Sequence, residues 1–144
     1  MSVTVRGVSE TSGNLRAMGR RAARPQPAFE KIMRELERAH RDWFASQGRG
    51  TWPSLAPSTA ARKRGRSRVL VDSGDLLRSL TSGGAGAIRR VDSDGFEFGT
   101  DVPYAHYHFG TRKMPRRDPI VPPDDRLKRG MTEEIAEHVT GRRW

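Results

Sequence analysis

Ala28-Phe29-Glu30-Lys31-Ile32-Met33-Arg34-Glu35-Leu36-Glu37-Arg38-Ala39-His40-Arg41-Asp42-Trp43-Phe44-Ala45-Ser46-Gln47 is the stretch that decides the fold. Phe29, Ile32, Met33, Leu36, Ala39, His40, Trp43 and Phe44 recur at steps of three and four, which gives one apolar helical face. Glu30, Arg34, Glu37, Arg38 and Arg41 take the opposite face. Pro25 and Pro27 can open such a helix, and Gly48 and Gly50 can stop it. The spacing therefore predicts a long amphipathic helix over residues 28–47.

Downstream, Thr51-Trp52-Pro53-Ser54-Leu55-Ala56-Pro57 is a turn-rich connector with one large aromatic. Ser58 can cap a short helix that runs into Arg62-Lys63-Arg64-Gly65-Arg66-Ser67-Arg68, where five of seven residues are basic. A stretch this charged is expected to be an exposed loop. After Val69-Leu70-Val71, Asp72 or Ser73 can cap a short helix from Gly74 to Leu80 that buries Leu76, Leu77 and Leu80. Ala87–Val91 and Phe96–Thr100 flank Asp92-Ser93-Asp94-Gly95, and Asp-Gly between two apolar runs signals a hairpin. Pro103 can open a helical turn, Tyr104 to Phe109, closed by Gly110. Residues 111–123 are rich in Pro and Arg and read as irregular. In the last segment, residues 124–139, Leu127, Met131, Ile135 and Val139 repeat every fourth residue and predict a second amphipathic helix.

Upstream, residues 1–24 are rich in Ser, Gly, Thr and Arg. They read as a flexible basic arm with a short strand at best over Ser2–Val8. The expected organisation is that arm followed by a single α+β domain over residues 25–140. In it a long N-terminal helix and a C-terminal helix pack on a small antiparallel β-sheet, with long extended loops.

The 144 residues fit one domain with one modest core, since only 34% are hydrophobic and 31% are charged. There are 27 Lys and Arg against 17 Asp and Glu, a formal net charge of +10. Lysine occurs only at Lys31, Lys63, Lys113 and Lys128, so the basic character is carried by arginine. Arginine suits bidentate pairing with carboxylates and phosphates, and arginine-rich usage also follows from GC-rich coding. An anionic partner, nucleic acid or acidic protein, is expected.

The absence of cysteine excludes disulfides, thiolate metal sites and cysteine nucleophiles. No apolar run approaches the ~18 residues of a membrane span, so no membrane association is expected. Met1 to Arg24 lacks a signal-peptide core, and a cytosol-like compartment is expected.

Catalytic constellations are hard to find. His106 and His108 could share a face and a metal on a strand, but would diverge on a helix. They read as packing or interface histidines beside Tyr104 and Tyr107. Ser73 lacks a nucleophile elbow and an identifiable base, so it reads as a helix cap. Gly83, Gly84 and Gly86 lack the Lys-Ser/Thr continuation of a phosphate loop. No paired carboxylates are placed for acid–base chemistry. A non-catalytic protein without cofactor or metal is expected. For the Arg62–Arg68 run three readings stay open: phosphate neutralisation, docking on an acidic neighbouring subunit, and a merely solvated loop.

The order of the short motifs carries more than any one of them. Trp52-Pro53-Ser54-Leu55-Ala56-Pro57-Ser58-Thr59 is followed by the basic loop and by Leu70-Val71-Asp72-Ser73-Gly74-Asp75-Leu76. The hairpin then leads to Gly99-Thr100, to Tyr104-Ala105-His106-Tyr107-His108-Phe109-Gly110, and to Pro115-Arg116-Arg117 before the last helix. This succession, over about residues 29–139, resembles the virion morphogenesis and tail-completion proteins of tailed phages, the minor tail protein Z-like or neck-protein group. The family's aromatic after Pro-x-Arg is absent, with Asp118-Pro119-Ile120 in its place.

The resemblance implies an α+β fold and no enzymatic activity. It implies a virion protein, assembled in the host cytoplasm, that forms a ring, a hexamer by tail symmetry, at the head–tail junction. The ring would cap the tail as a completion or terminator layer and join it to head-completion and tail-tube proteins, with DNA passing through its lumen. Interface candidates are Trp52, Arg62, Lys63, Arg64, Arg66, Arg68, Tyr104, His106, Tyr107, His108, Phe109, Arg116 and Arg117. The alternative function is a basic nucleic-acid-binding module using the Arg62–Arg68 run and the N-terminal arm.

Overall fold

The computed structural model describes residues 8–63 and 68–142. Among the described residues it contains α1 (Val8–Ala22), α2 (Gln26–Ala45), α3 (Pro57–Arg62), α4 (Asp75–Thr81), a hairpin of β1 (Ala87–Val91) and β2 (Phe96–Thr100), a 3-10 helix (Ala105–Phe109) and α5 (Asp125–Thr140). The class is α+β, as the sequence patterning implies.

α2 forms where the three- and four-residue spacing places it. Its buried positions, Ala28, Ile32, Leu36, His40 and Phe44, follow one another at steps of four, with Trp43 beside them. Burying each large side chain of this face contributes roughly 1.5–3 kcal/mol. The Glu35–Arg38 pair on the exposed face contributes little.

The chain divides into two compact units, and α2 gives its first turns to one and the remainder to the other. The first comprises Met1–Ile32, Val91–Gly95 and Asp124–Trp144. Here α1 occupies the segment expected as a flexible arm. Gly13, Gly19 and the small polar residues give it poor intrinsic helix propensity, so its stability comes from packing on α5. The Arg21 guanidinium donates to the carbonyls of Val139 at 2.8 Å and Thr140 at 2.9 Å, covering the open end of α5 with positive charge. His138 Nε2 faces the carbonyls of Arg21 and Arg24 at 3.0 and 2.8 Å, which requires a proton on that nitrogen. Lys31 and Glu134 add an ion pair at 2.5 Å. Asp124 caps α5 by accepting from the Leu127 N–H. The strand expected over Ser2–Val8 lies outside the described residues except for Val8, which begins α1.

The second unit comprises Met33–Arg90 and Phe96–Pro123. Its core combines Leu36, Trp43 and Phe44 of α2 with Trp52, Val69, Leu76, Leu80, Val102 and Val121. The hairpin packs on α4, where Ser79 Oγ meets Thr100 Oγ1 at 2.8 Å. Arg89 reaches from β1 to Glu37 at 2.8 Å and to the Ser79 carbonyl at 3.1 Å, with its guanidinium over Phe98.

Two caps differ from expectation. Ser58 lies inside α3, which starts at Pro57 after Ala56. The N-cap position of α4 is Gly74 at φ 86, a left-handed conformation that glycine adopts freely, while Ser73 just before it accepts from the Asp75 N–H at 3.3 Å and also bonds the Asp75 carboxylate.

His40 is the buried polar centre of this unit. Its Nδ1–H donates to the Leu36 carbonyl at 2.7 Å, and Nε2 accepts from the Val121 N–H at 3.3 Å. A proton on Nε2 would remove that acceptor, and burial holds the His40 pKa below its ordinary value of 6.5 despite the Leu36 bond. Below that pH the unfolded imidazole binds a proton that the folded one refuses. Stability is therefore at its plateau above about pH 6.5 and falls as pH drops, with a slope of at most about 1.4 kcal/mol per pH unit from this residue. Denaturant midpoints measured between about pH 8 and pH 5 should show the decline, and a His40→Gln variant should show a shallower one, because the His40 contribution is gone.

Candidate functional site

The surface most unlike an ordinary solvated face begins at Tyr104. Pro103 precedes the 3-10 helix and Gly110, at φ 97, ends it. With three residues per turn, successive side chains point to all sides and cannot all be buried. Ala105 turns into the core, while Tyr107 is 49% and Phe109 45% exposed. Tyr104 is also exposed, although its hydroxyl accepts from the Leu76 N–H at 3.3 Å. The chain then makes a tight turn in which Thr111 and Met114 exchange backbone hydrogen bonds at 3.0 and 3.3 Å. Thr111 Oγ1 accepts from the Lys113 and Met114 N–H groups, so Arg112 and Lys113 stand at the tip.

His106 and His108 do not form a ligand pair. Residues two apart in a 3-10 helix are separated by about 240°, so their rings diverge. His106 is exposed and lies tilted against Tyr107 with ring centres 3.9 Å apart. His108 is half-buried and edge-on to Tyr104, and burial and the Arg117 charge lower its pKa. Among the described residues no group of three or more His, Asp or Glu side chains is placed to hold a metal ion. No helix among them is long and apolar enough to cross a membrane.

Three expected surface residues face inward instead. Trp52 is only 7% exposed and sits edge-on to Trp43 and Phe44, with ring centres 6.1 and 5.3 Å away. Beside it a cleft of about 260 Å³ is lined by Trp43, Thr51, Trp52, Arg116, Asp118 and Pro122. Arg117 is 8% exposed and donates to the carbonyls of Pro53 and Ser54. Lys63 directs Nζ to the carbonyls of Val71 at 2.7 Å and Arg68 at 3.2 Å, with Asp72 at 4.0 Å. It therefore ties the two ends of the basic loop together. The physical reason is common to Arg117 and Lys63: connectors without ladder hydrogen bonds leave carbonyls to be satisfied, and long cationic side chains can reach them.

Arg62 and Arg68 are exposed, and Arg64 and Arg66 lie outside the described residues. Arg116 is exposed but held by Asp118 through two 2.8 Å contacts. The structure therefore gathers Tyr104, His106, Tyr107 and Phe109 into one exposed segment. It adds Arg112, Lys113 and Met114 from the 111–123 loop, a segment expected from the sequence to reach adjacent subunits but with only Arg116 and Arg117 as its interface candidates. Thr111 followed by two basic residues was the available signal, since threonine favours such turns.

Compared with known protein families, with curated proteins and with solved structures, the chain has no match in any of the three.

Proposed function

We propose that this chain is a non-enzymatic structural protein of a tailed-phage virion, acting at the head–tail junction as a tail-completion or terminator ring. The observation that carries the assembly half of this reading is the exposure of Tyr104, Tyr107, Phe109 and Met114 within eleven residues. Large exposed aromatics beside arginine are typical of the residues that anchor protein interfaces. A protein that remained monomeric would gain by burying or replacing them. The ordered motifs from Trp52 to Arg117 supply the specific role. The partners are then further copies in a hexamer, the head-completion proteins and the tail tube, with DNA threading the lumen.

Deleting the coding region from the genome that carries it tests the role. The expected result is filled heads and separate tails, with joining restored when the protein is supplied in trans. Normal joining without it would sink the reading. The rival, nucleic-acid binding through the Arg62–Arg68 run and the arginine-rich N-terminal segment, predicts salt-sensitive binding of duplex DNA by the purified protein that is lost when Arg62, Arg64 and Arg66 become Ala.

A further inference from the structure

Two short turns of this chain carry opposite charge at their tips. In the Thr111–Met114 turn, Arg112 and Lys113 are exposed, and among the described residues neither forms an ion pair. Phe109 and Met114 flank them as exposed apolar side chains. In the hairpin turn, the Asp92 N–H donates to the Gly95 carbonyl at 3.0 Å. One Asp92 oxygen accepts from the Asp94 and Gly95 N–H groups, each at 2.8 Å. Both turns are thus held by their own hydrogen bonds before any partner arrives. The hairpin turn presents two exposed carboxylates, Asp92 and Asp94, against the two free cations of the other.

We propose that the Asp92–Gly95 turn of one copy docks on the Thr111–Met114 turn of a second copy. This rests on the ring-assembly reading and names the contact that orders the ring. The charges match two to two, in a chain whose net charge of +10 makes unguided self-contact repulsive. The contact pairs two different turns rather than one patch with itself, the head-to-tail kind that closes rings. Phe109 and Met114 lose solvent at the rim of the contact. Charge complementarity of this kind sets partner and register more than total affinity. Nucleic acid fits the same turn less well. Arg116 is already held by Asp118, which leaves two free cations where a phosphate-tracking groove uses a longer run.

The test uses the full-length chain and two charge-reversed variants, Arg112→Glu/Lys113→Glu and Ser93→Lys/Asp94→Lys. Asp92 is left in place because its carboxylate holds the turn. Sedimentation velocity over a concentration series should show each variant alone associating at least about tenfold more weakly than wild type. An equimolar mixture should recover wild-type assembly, because every contact in an alternating ring is then of opposite sign. Unchanged melting temperatures exclude misfolding. The inference is overturned if either reversal leaves assembly unchanged or the mixture fails to recover. It is also overturned if wild type stays monomeric at its highest soluble concentration, or if the Arg112/Lys113 variant loses only single-stranded DNA binding. Head–tail joining in the deletion strain judges the ring reading separately, since rings built through another contact would satisfy it.

Discussion

Replacing Arg117 with alanine lowers the stability of the protein by about 2–4 kcal/mol, whereas replacing its neighbour Arg116 costs about 0.5 kcal/mol or less. The contrast follows from burial. Arg117 is shielded and gives two charge-assisted bonds, Nε to the Pro53 carbonyl at 2.8 Å and one terminal nitrogen to the Ser54 carbonyl at 2.7 Å. Its own N–H bonds the His108 carbonyl at 2.8 Å, so one residue fixes the Trp52 connector and the end of the 3-10 helix. Truncation strips the Pro53 and Ser54 carbonyls of their charged donor and leaves a gap where the buried guanidinium packed, although both connector residues are exposed and water takes up part of the loss. Lysine rescues only part of the loss, because an ammonium on a flexible stem lacks the planar fork. Arg116 is solvated, and its pairing with Asp118 is replaced by water. Urea denaturation of R117A, R117K and R116A measures the difference. Removing the Arg117 charge also lets the His108 pKa rise toward its ordinary value, which imidazole NMR titration can follow.

Gly48→Ala is the second large effect, about 3 kcal/mol, against about 1 kcal/mol for Gly50→Ala. Gln47, Gly48, Arg49 and Gly50 all have positive φ, between 50° and 78°, which makes one left-handed turn after α2. An alanine at either glycine carries the left-handed penalty of roughly 1–2 kcal/mol. At Gly50 the added carbon meets open space. At Gly48 it would stand 2.5 Å from both Cδ1 and Nε1 of Trp52, and the indole is packed against Trp43 and Phe44. Either the turn or the indole must move, at the cost of an overpacked core. Denaturant midpoints give the energies. Acrylamide quenching of tryptophan fluorescence should rise in G48A and stay near wild type in G50A.

The Gly48–Trp52 contact shows how the sequence could be read and where it stopped. Glycines after an apolar helix announce the end of α2, and the helix ends at Ala45. That Gly48 also makes room for an aromatic four residues later is a tertiary fact without a local pattern. The hairpin was legible because Asp, Ser and Gly cluster between two apolar runs, although the turn is held by the Asp92 carboxylate rather than by an Asp-Gly pair at positive φ, and α5 because its apolar residues repeat every four. α1 was not legible, since Ser, Gly and Thr weaken helix propensity and the compensating Arg21 and His138 bonds join residues more than 110 apart in sequence.

The same limit governs the candidate surface. Tyr104 to Phe109 could be picked out because aromatics so dense in a 3-10 segment cannot all be buried. The fates of Trp52, Lys63 and Arg117 turned on which carbonyls lacked donors, and that depends on the path of the connectors. Composition favours placing an arginine or lysine outside. Here the demand for backbone hydrogen bonds overrides it in two connectors.

The proposed assembly is a ring at the junction of phage head and tail. Imaging purified virions from the genome that carries this chain, with the protein tagged at its C-terminus, tests that ring directly. The expected result is tag density confined to the neck, in a closed ring of identical copies that matches the tail's symmetry. Virions that join normally and contain none of the protein would contradict it.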